Sequence, residues 1–147
     1  PYDRLHYKPE HLSWEEAAAL PLAGLTAYRA VFVQGGLQAG EKVLITGIGG
    51  GVAQFAAQYA VAAGAQVYIS SSSAEKIKRA KEIGVLSGFN YKDANWVEEV
   101  RATVGGFDLI VDSAMGDTLN NLIDVANPGG RIIFYGATMG NPSGFNA

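Results

Sequence analysis

One stretch limits what this chain can become. Residues 42–73 read Lys-Val-Leu-Ile-Thr-Gly-Ile-Gly-Gly-Gly-Val-Ala, then an alanine-rich segment, then Gln-Val-Tyr-Ile-Ser-Ser-Ser-Ser. Val43 to Thr46 is a short β-prone run bounded by glycine, as expected of a strand buried in a parallel sheet. Gly47, Gly49, Gly50 and Gly51 let the backbone turn sharply and come close to another group. After them Val52, Phe55, Ala56, Tyr59, Ala60 and Ala63 recur with a helical period, and Gly64 is placed to stop the helix. Val67 to Ser70 is the next strand. Strand, glycine turn, helix and strand make a βαβ unit. The first turn of its helix has unpaired N–H groups and a partial positive charge, which suit a phosphate. Strict G-x-G-x-x-G spacing fails, because the third position from Gly47 and Gly49 is Val52. Gly47-x-x-Gly50-x-x-Ala53 fits, with Ala53 small enough for close helix–strand contact. In this context the turn reads as a dinucleotide site.

The remaining chain extends the same pattern. Ser13-Trp14-Glu15-Glu16 is a capping box, so a helix is expected from Trp14. Pro21 is expected to end or kink it. A second helix is expected over 22–32, with Leu25, Tyr28, Ala30 and Phe32 as burial candidates. Ser72 and Glu75 read as another capping box, opening a helix through Ile77, Ala80 and Ile83. Further strands are expected at 88–91, 107–111 and 131–135, with helices around Trp96–Val100 and Leu119–Ala126. Asn127-Pro128-Gly129-Gly130 should stop the last helix. Five strands alternating with helices predict an α/β, doubly wound parallel sheet of the Rossmann type. The domain division read from the sequence is a helical lead-in over 1–35 and the dinucleotide-binding domain over 36–147.

Composition excludes several classes. The 147 residues are 48% hydrophobic and 17% charged, so neither a disordered nor a membrane-embedded chain is expected. A net charge of −3 gives no general attraction to nucleic acid or to an anionic membrane. With no cysteine there is neither a disulfide nor a thiolate metal site. His6 and His11 have no ligand cluster nearby. No signal peptide or membrane span is recognisable, so a cytoplasmic location is the expectation.

The end of the second strand informs on the ligand. NAD-binding folds place an acid there, on the ribose 2′-hydroxyl. This chain has Ser71 and Ser72, whose hydroxyls can donate to a 2′-phosphate, and Lys76 one turn later can add a charge-assisted bond. The alternative is that Ser72 only caps the helix and Lys76 is a solvated charge. The missing acid also weighs against a methyl-donor site on a similar fold.

Several runs resemble the medium-chain dehydrogenase/reductase superfamily, most closely its quinone oxidoreductase branch. They are Val43-Leu-Ile-Thr-Gly-Ile-Gly-Gly-Gly-Val-Ala53, Ser72-Ser-x-x-Lys76 and Ala80-Lys-Glu-Ile-Gly84. The likeness extends from Ala17-Ala18-Ala19-Leu20-Pro21 and Leu25-Thr26-Ala27-Tyr28 to Gly129-Gly130-Arg131 and Tyr135-Gly136-Ala137. It implies an NADPH-dependent reductase of quinones or other activated alkenes and carbonyls. It implies that Gly49 to Val52 hold the pyrophosphate and that Ser71, Lys76 and Tyr91 surround the 2′-phosphate. Thr26 and the Gly136-Ala137-Thr138 backbone would lie near the nicotinamide, and the Asp112-Ser113-Ala114 turn, at the carboxyl end of its strand, would line the same crevice. In zinc-dependent relatives a cysteine binds the metal where this chain has Leu22, so no metal is expected. The family's amino-terminal substrate domain and a further strand of the cofactor domain are not in the chain. The chain alone is therefore expected to bind cofactor without turnover. The strand at 131–135 is expected at a sheet edge, paired with a second copy in a homo-oligomer or covered by residues 140–147. An enoyl-thioester reductase and a non-catalytic NADPH-binding protein are the alternatives.

Overall fold

The computed structural model describes Asp3 and residues 6–142. Ser13 opens α1 (Trp14–Tyr28) through a reciprocal cap: its hydroxyl accepts from the Glu16 N–H, and its own N–H donates to the Glu16 carboxylate at 2.8 Å. The expected break at Pro21 does not occur. Proline removes one backbone donor from a helix. Pro21 is exposed, so its ring sits on the outer side of the helix. α1 runs into a π-helical turn, Arg29–Gln34. Ala30 is buried, but Leu25 and Tyr28 are exposed rather than buried as expected.

The sheet follows. β1 (Lys42–Ile45), β2 (Gln66–Ser70), β3 (Ser87–Phe89), β4 (Phe107–Asp112) and β5 (Ala126–Phe134) are joined by α2 (Gly51–Ala62), α3 (Ala74–Lys81), α4 (Trp96–Thr103) and α5 (Leu119–Asp124). All strand pairs are parallel, in the order β3-β2-β1-β4-β5. This is the doubly wound parallel α/β sheet of the sequence reading. Its point of reversal lies between β1 and β4, where the chain crosses from one half of the sheet to the other. The carboxyl ends of those strands form the crevice where such sheets take ligands.

Side chains alternate across the sheet. Val43, Ile45, Val67, Ile69, Leu109 and Val111 pack against α2 and the end of α1. Leu44, Ile110, Phe107 and Phe89 pack against α4 and α5. α2 meets the sheet through Ala53, Ala56, Ala57 and Ala60, all fully buried. Its larger apolar residues turn to α1 instead: the Tyr59 ring lies near those of Tyr28, Phe32 and Phe55.

Several boundaries differ from expectation: β3 lies at Ser87–Phe89 rather than 88–91, α3 ends at Lys81 before Ile83, and α5 ends at Asp124. The cap of α3 is Ser73, not Ser72: the Ser73 hydroxyl accepts from the Lys76 N–H. And 127–130 do not simply separate α5 from a strand. Ala126 already pairs with Phe107, and Arg131 resumes the pairing opposite Leu109, so these residues bulge out of β5. β5 is an edge of the sheet. Residues 143–147, most of the expected covering tail, lie outside the described residues. Gly140 takes another course, its carbonyl accepting from the Gly116 N–H beyond β4.

Candidate functional site

The glycine turn begins with β1. Gly47 has φ +64°, a left-handed conformation that favours glycine. Its N–H and that of Ile48 donate to the Ser70 carbonyl, binding the turn to the end of β2. Gly50 is the N-cap of α2 and supplies no side chain to its first turn. No backbone carbonyl among the described residues accepts from the N–H groups of Gly51, Val52 or Ala53. The first turn contains no acidic residue. A bare helix start with free N–H groups and a positive dipole end can hold an anion.

Lys76 comes to this turn from α3. A methyl group on Gly49 would lie 2.7 Å from Lys76 Nζ, so the ammonium occupies the space glycine leaves. Of the two serines proposed for the ligand, Ser71 is buried and its hydroxyl accepts from the Ser73 N–H. Ser72 is exposed, and the Tyr91 hydroxyl donates to it at 3.3 Å. Thus Ser72, Tyr91 and Lys76 all stand at the β2 end of the crevice, with no carboxylate in the Ser70–Ser73 run itself.

The other half of the crevice is built around Asp112, which is 1% exposed. Its carboxylate accepts from the Thr46 hydroxyl and from the N–H groups of Ala114 and Met115 at 3.0 and 2.7 Å. These bonds connect the end of β1 to the turn after β4. Met115 stands at φ +55°, ψ −131°, a conformation glycine adopts more readily. The segment after β5 pairs with this turn: Thr138 N–H donates to Ser113 O and Met139 N–H to Ala114 O. A methyl group on Gly136 would sit 3.1 Å from the Ser113 carbonyl, so β4 and β5 leave the sheet in close contact. Burial pushes the Tyr135 phenol pKa up, against the opposing effect of the neighbouring Ser113 side chain. Ala137 is exposed and its carbonyl accepts from Gly140.

Between these halves is a cavity of about 230 Å³. Thr46, Gly47, Ser70, Tyr91, Ser113 and Thr138 line it, together with Trp96 and Asn121 from the helices beneath. Thr26 does not reach it. It is half-buried on α1, one turn past Ala23, which packs where a methyl group on Gly51 would project. Sequence reading placed the Asp112-Ser113-Ala114 turn along this crevice, and all three residues line the cavity; it missed Thr46, Trp96 and Asn121, which carried no signal.

Comparison with known proteins agrees with this architecture. The family model described as zinc-binding dehydrogenase matches residues 51–147. A zinc-type alcohol dehydrogenase-like protein YogA of Leptosphaeria maculans is 40% identical over 139 residues, 90% of this chain and 39% of that protein. The crystal structure of a quinone oxidoreductase of Pseudomonas syringae pv. Tomato DC3000 superposes with a TM-score of 0.90 at 30% identity, covering 99% of this chain and 46% of that one. An enoyl reductase, CurK, superposes at 0.85 and 31% identity, covering 92% of this chain and 41% of that one. The chain thus spans about two fifths of the length of these relatives. It belongs to the zinc-binding dehydrogenase family, within the medium-chain dehydrogenase/reductase superfamily of oxidoreductases.

Proposed function

We propose that this chain is the cofactor-binding part of a zinc-independent, NADPH-dependent reductase of quinones or other activated alkenes and carbonyls. Residues 36–147 form the dinucleotide-binding domain in this reading, and 1–35 lead into it. The observation that carries the cofactor preference is the β2 end of the crevice. Two serines and Tyr91 stand where an acid would accept from a ribose hydroxyl, and the Lys76 ammonium lies against the glycine turn. Hydroxyl donors and a cation favour a 2′-phosphate; a carboxylate would repel it.

The other roles follow from position. Gly47, Gly49, Gly50, Gly51 and Val52 form the pyrophosphate cradle. Ser71 orders the loop through the Ser73 N–H, and Ser72, Lys76 and Tyr91 face the 2′-phosphate. Ser113, Gly136, Ala137 and Thr138 form the wall on the nicotinamide side, with Thr26 on the helix beside the cradle. NADPH, when bound, supplies the hydride; the chain's residues hold and orient it. Quinone oxidoreductase and enoyl reductase neighbours support the substrate range, an enoyl thioester being the alternative substrate.

The family's description names zinc, and the donors here do not fit it. The chain has no cysteine. Leu22, at the position of the metal-binding cysteine, has no donor atom and is exposed. No group of three metal-ligating side chains occurs among the described residues. No helix among them is long and apolar enough to cross a membrane. A homo-oligomer of the whole protein, in the cytoplasm, completes the proposal.

Titration with NADPH and NADH tests it. Wild-type chain should bind NADPH more tightly. Lys76→Ala should weaken NADPH selectively, by about 1–3 kcal/mol. Equal losses for both cofactors would remove the 2′-phosphate assignment. Oxidation of NADPH by the whole protein on a quinone and enone panel tests the substrate class.

A further inference from the structure

A second hollow, of about 230 Å³, lies between α2 and α3 and shares no lining residue with the crevice cavity. Ile48 and Ile83 line it together with Gln54 and Gln58 of α2 and Lys76 and Arg79 of α3. α3 is basic, with Lys78, Arg79 and Lys81 in its last turn, where cations suit the helix dipole wherever they point. Of its cations only Lys76 and Arg79, one turn apart, line the hollow, and no carboxylate does. The Arg79 guanidinium has no hydrogen-bond or ion-pair partner among the described residues, although Glu75 and Glu82 lie one turn to either side of it. The Gln58 carboxamide gives one N–H to the Gln54 carbonyl at 3.3 Å, and that of Gln54 gives one to the Gly49 carbonyl at 3.5 Å. Each amide nitrogen has a second N–H left. A guanidinium fork, an ammonium and two amide N–H groups suit a tetrahedral oxyanion such as phosphate.

Lys76 belongs to two places. Its Nζ is the atom that a methyl group on Gly49 would meet at 2.7 Å, and the same side chain lines the hollow. We propose that the hollow is a separate phosphate site anchored by Arg79, taking inorganic phosphate or the phosphate of a small monoester, and that an anion there weakens the hold of Lys76 on the cofactor. Two phosphate groups at one ammonium repel each other, so each loosens the other, and the coupling is reciprocal. NADPH affinity then falls as phosphate rises, while NADH, which has no 2′-phosphate, is affected less. This second half rests on the reading of Lys76 as a 2′-phosphate ligand; the phosphate site does not.

Arg79 is exposed, so Arg79→Gln removes the anchor without disturbing the core. Inorganic phosphate and glycerol 3-phosphate are titrated into the chain without cofactor by calorimetry, with ionic strength held constant by chloride. Saturable binding at millimolar concentration is expected, weakened at least about tenfold by Arg79→Gln. Gln58→Leu should weaken it less. Tighter binding of glycerol 3-phosphate identifies a monoester as the occupant, and equal or weaker binding identifies free phosphate. Non-saturable uptake, an adventitious ion only, or binding unchanged in Arg79→Gln would overturn the site. NADPH and NADH are then titrated with and without phosphate, by fluorescence of the reduced nicotinamide. Phosphate should weaken NADPH roughly 5-fold or more, and NADH by less. Arg79→Gln should remove that difference and keep the NADPH affinity measured in chloride. Arg79-dependent phosphate binding that leaves NADPH unchanged would overturn the coupling. Equal losses of both cofactors in Lys76→Ala would instead remove the 2′-phosphate reading and the coupling with it, while the titration without cofactor still decides the site.

Discussion

Arg131 ties β5 to the segment before β1, at the amino edge of the sheet. Its two terminal nitrogens donate to the two Glu41 oxygens, each at 2.8 Å, and its Nε donates to the Gly35 carbonyl at 2.7 Å. The Glu41 side chain is 20% exposed and that of Arg131 34%. A solvent-exposed pair contributes about 0–1 kcal/mol, and losing one partner of a fully buried pair costs about 3–5 kcal/mol. Two-point geometry and intermediate burial place Arg131→Met between these limits, at about 2 kcal/mol. For a chain of this size that corresponds to a fall in Tm of roughly 4–8 °C. The pH dependence makes the test specific. Arg131 holds the Glu41 carboxyl below its ordinary pKa in the folded chain. Its stabilisation is therefore complete above the ordinary carboxyl range and is lost as pH falls through the lower, folded value. Asp108 is also held low, chiefly by the Asn127 amide and the Lys42 N–H, with the Arg131 charge as the smallest contribution, so most of its titration is shared by wild type and variant. The difference between the two, from urea midpoints at several pH values, should hence be full near neutrality and shrink in acid. Glu41→Gln should flatten the acid limb of the stability curve. A difference below about 0.5 kcal/mol at neutral pH, or one independent of pH, would refute the reasoning.

Other substitutions read other parts of the structure. Ser73→Ala removes the α3 cap and should cost about 1 kcal/mol by urea denaturation, whereas Ser72→Ala should cost far less. Met115→Gly relieves a positive φ and should stabilise the chain by about 1 kcal/mol, against the added freedom of glycine when unfolded. Gly116→Ala should do the reverse: φ is +56°, and a methyl group would lie 2.9 Å from the Met139 carbonyl oxygen, so a loss of more than about 2 kcal/mol in thermal or urea melts is expected. Gly88→Ala would drive a methyl group to 2.6 Å from Ile69 Cδ1 and 2.8 Å from Ile77, costing about 1–3 kcal/mol in the same measurement.

Much of the fold was legible because its signals are local. Glycine turns, buried β-prone runs and helical periods each lie within a few residues, and they placed the five strands. Misreadings occurred where a neighbour in space decides. Four consecutive serines offer several caps, and where β2 ends selects Ser73. Pro21 does not end α1, and it sits on the exposed side of the helix. Leu25 and Tyr28 fit a buried helical stripe, but the sheet accepts Ala27, Ala30 and Val31 instead. The glycine turn was legible for the same reason as the strands. Thr46, Trp96 and Asn121 were not, because separate elements bring these side chains to the turn at Asp112.

The alanine seam of α2 sets a geometric tolerance on the cradle. Ala53, Ala56, Ala57 and Ala60 leave no space between helix and sheet, so side-chain size along the seam fixes the height at which the helix axis rides. The N–H groups of Gly51 and Val52 ride on the same axis. A branched residue at position 57 could be accommodated only by lifting or tilting the helix, which would displace those donors from an anion that the new side chain never touches. If the turn holds a phosphate as proposed, its affinity would be partly encoded in carbon atoms packed against the far side of the lever, and drift at those positions would register as lost binding before it registered as lost fold.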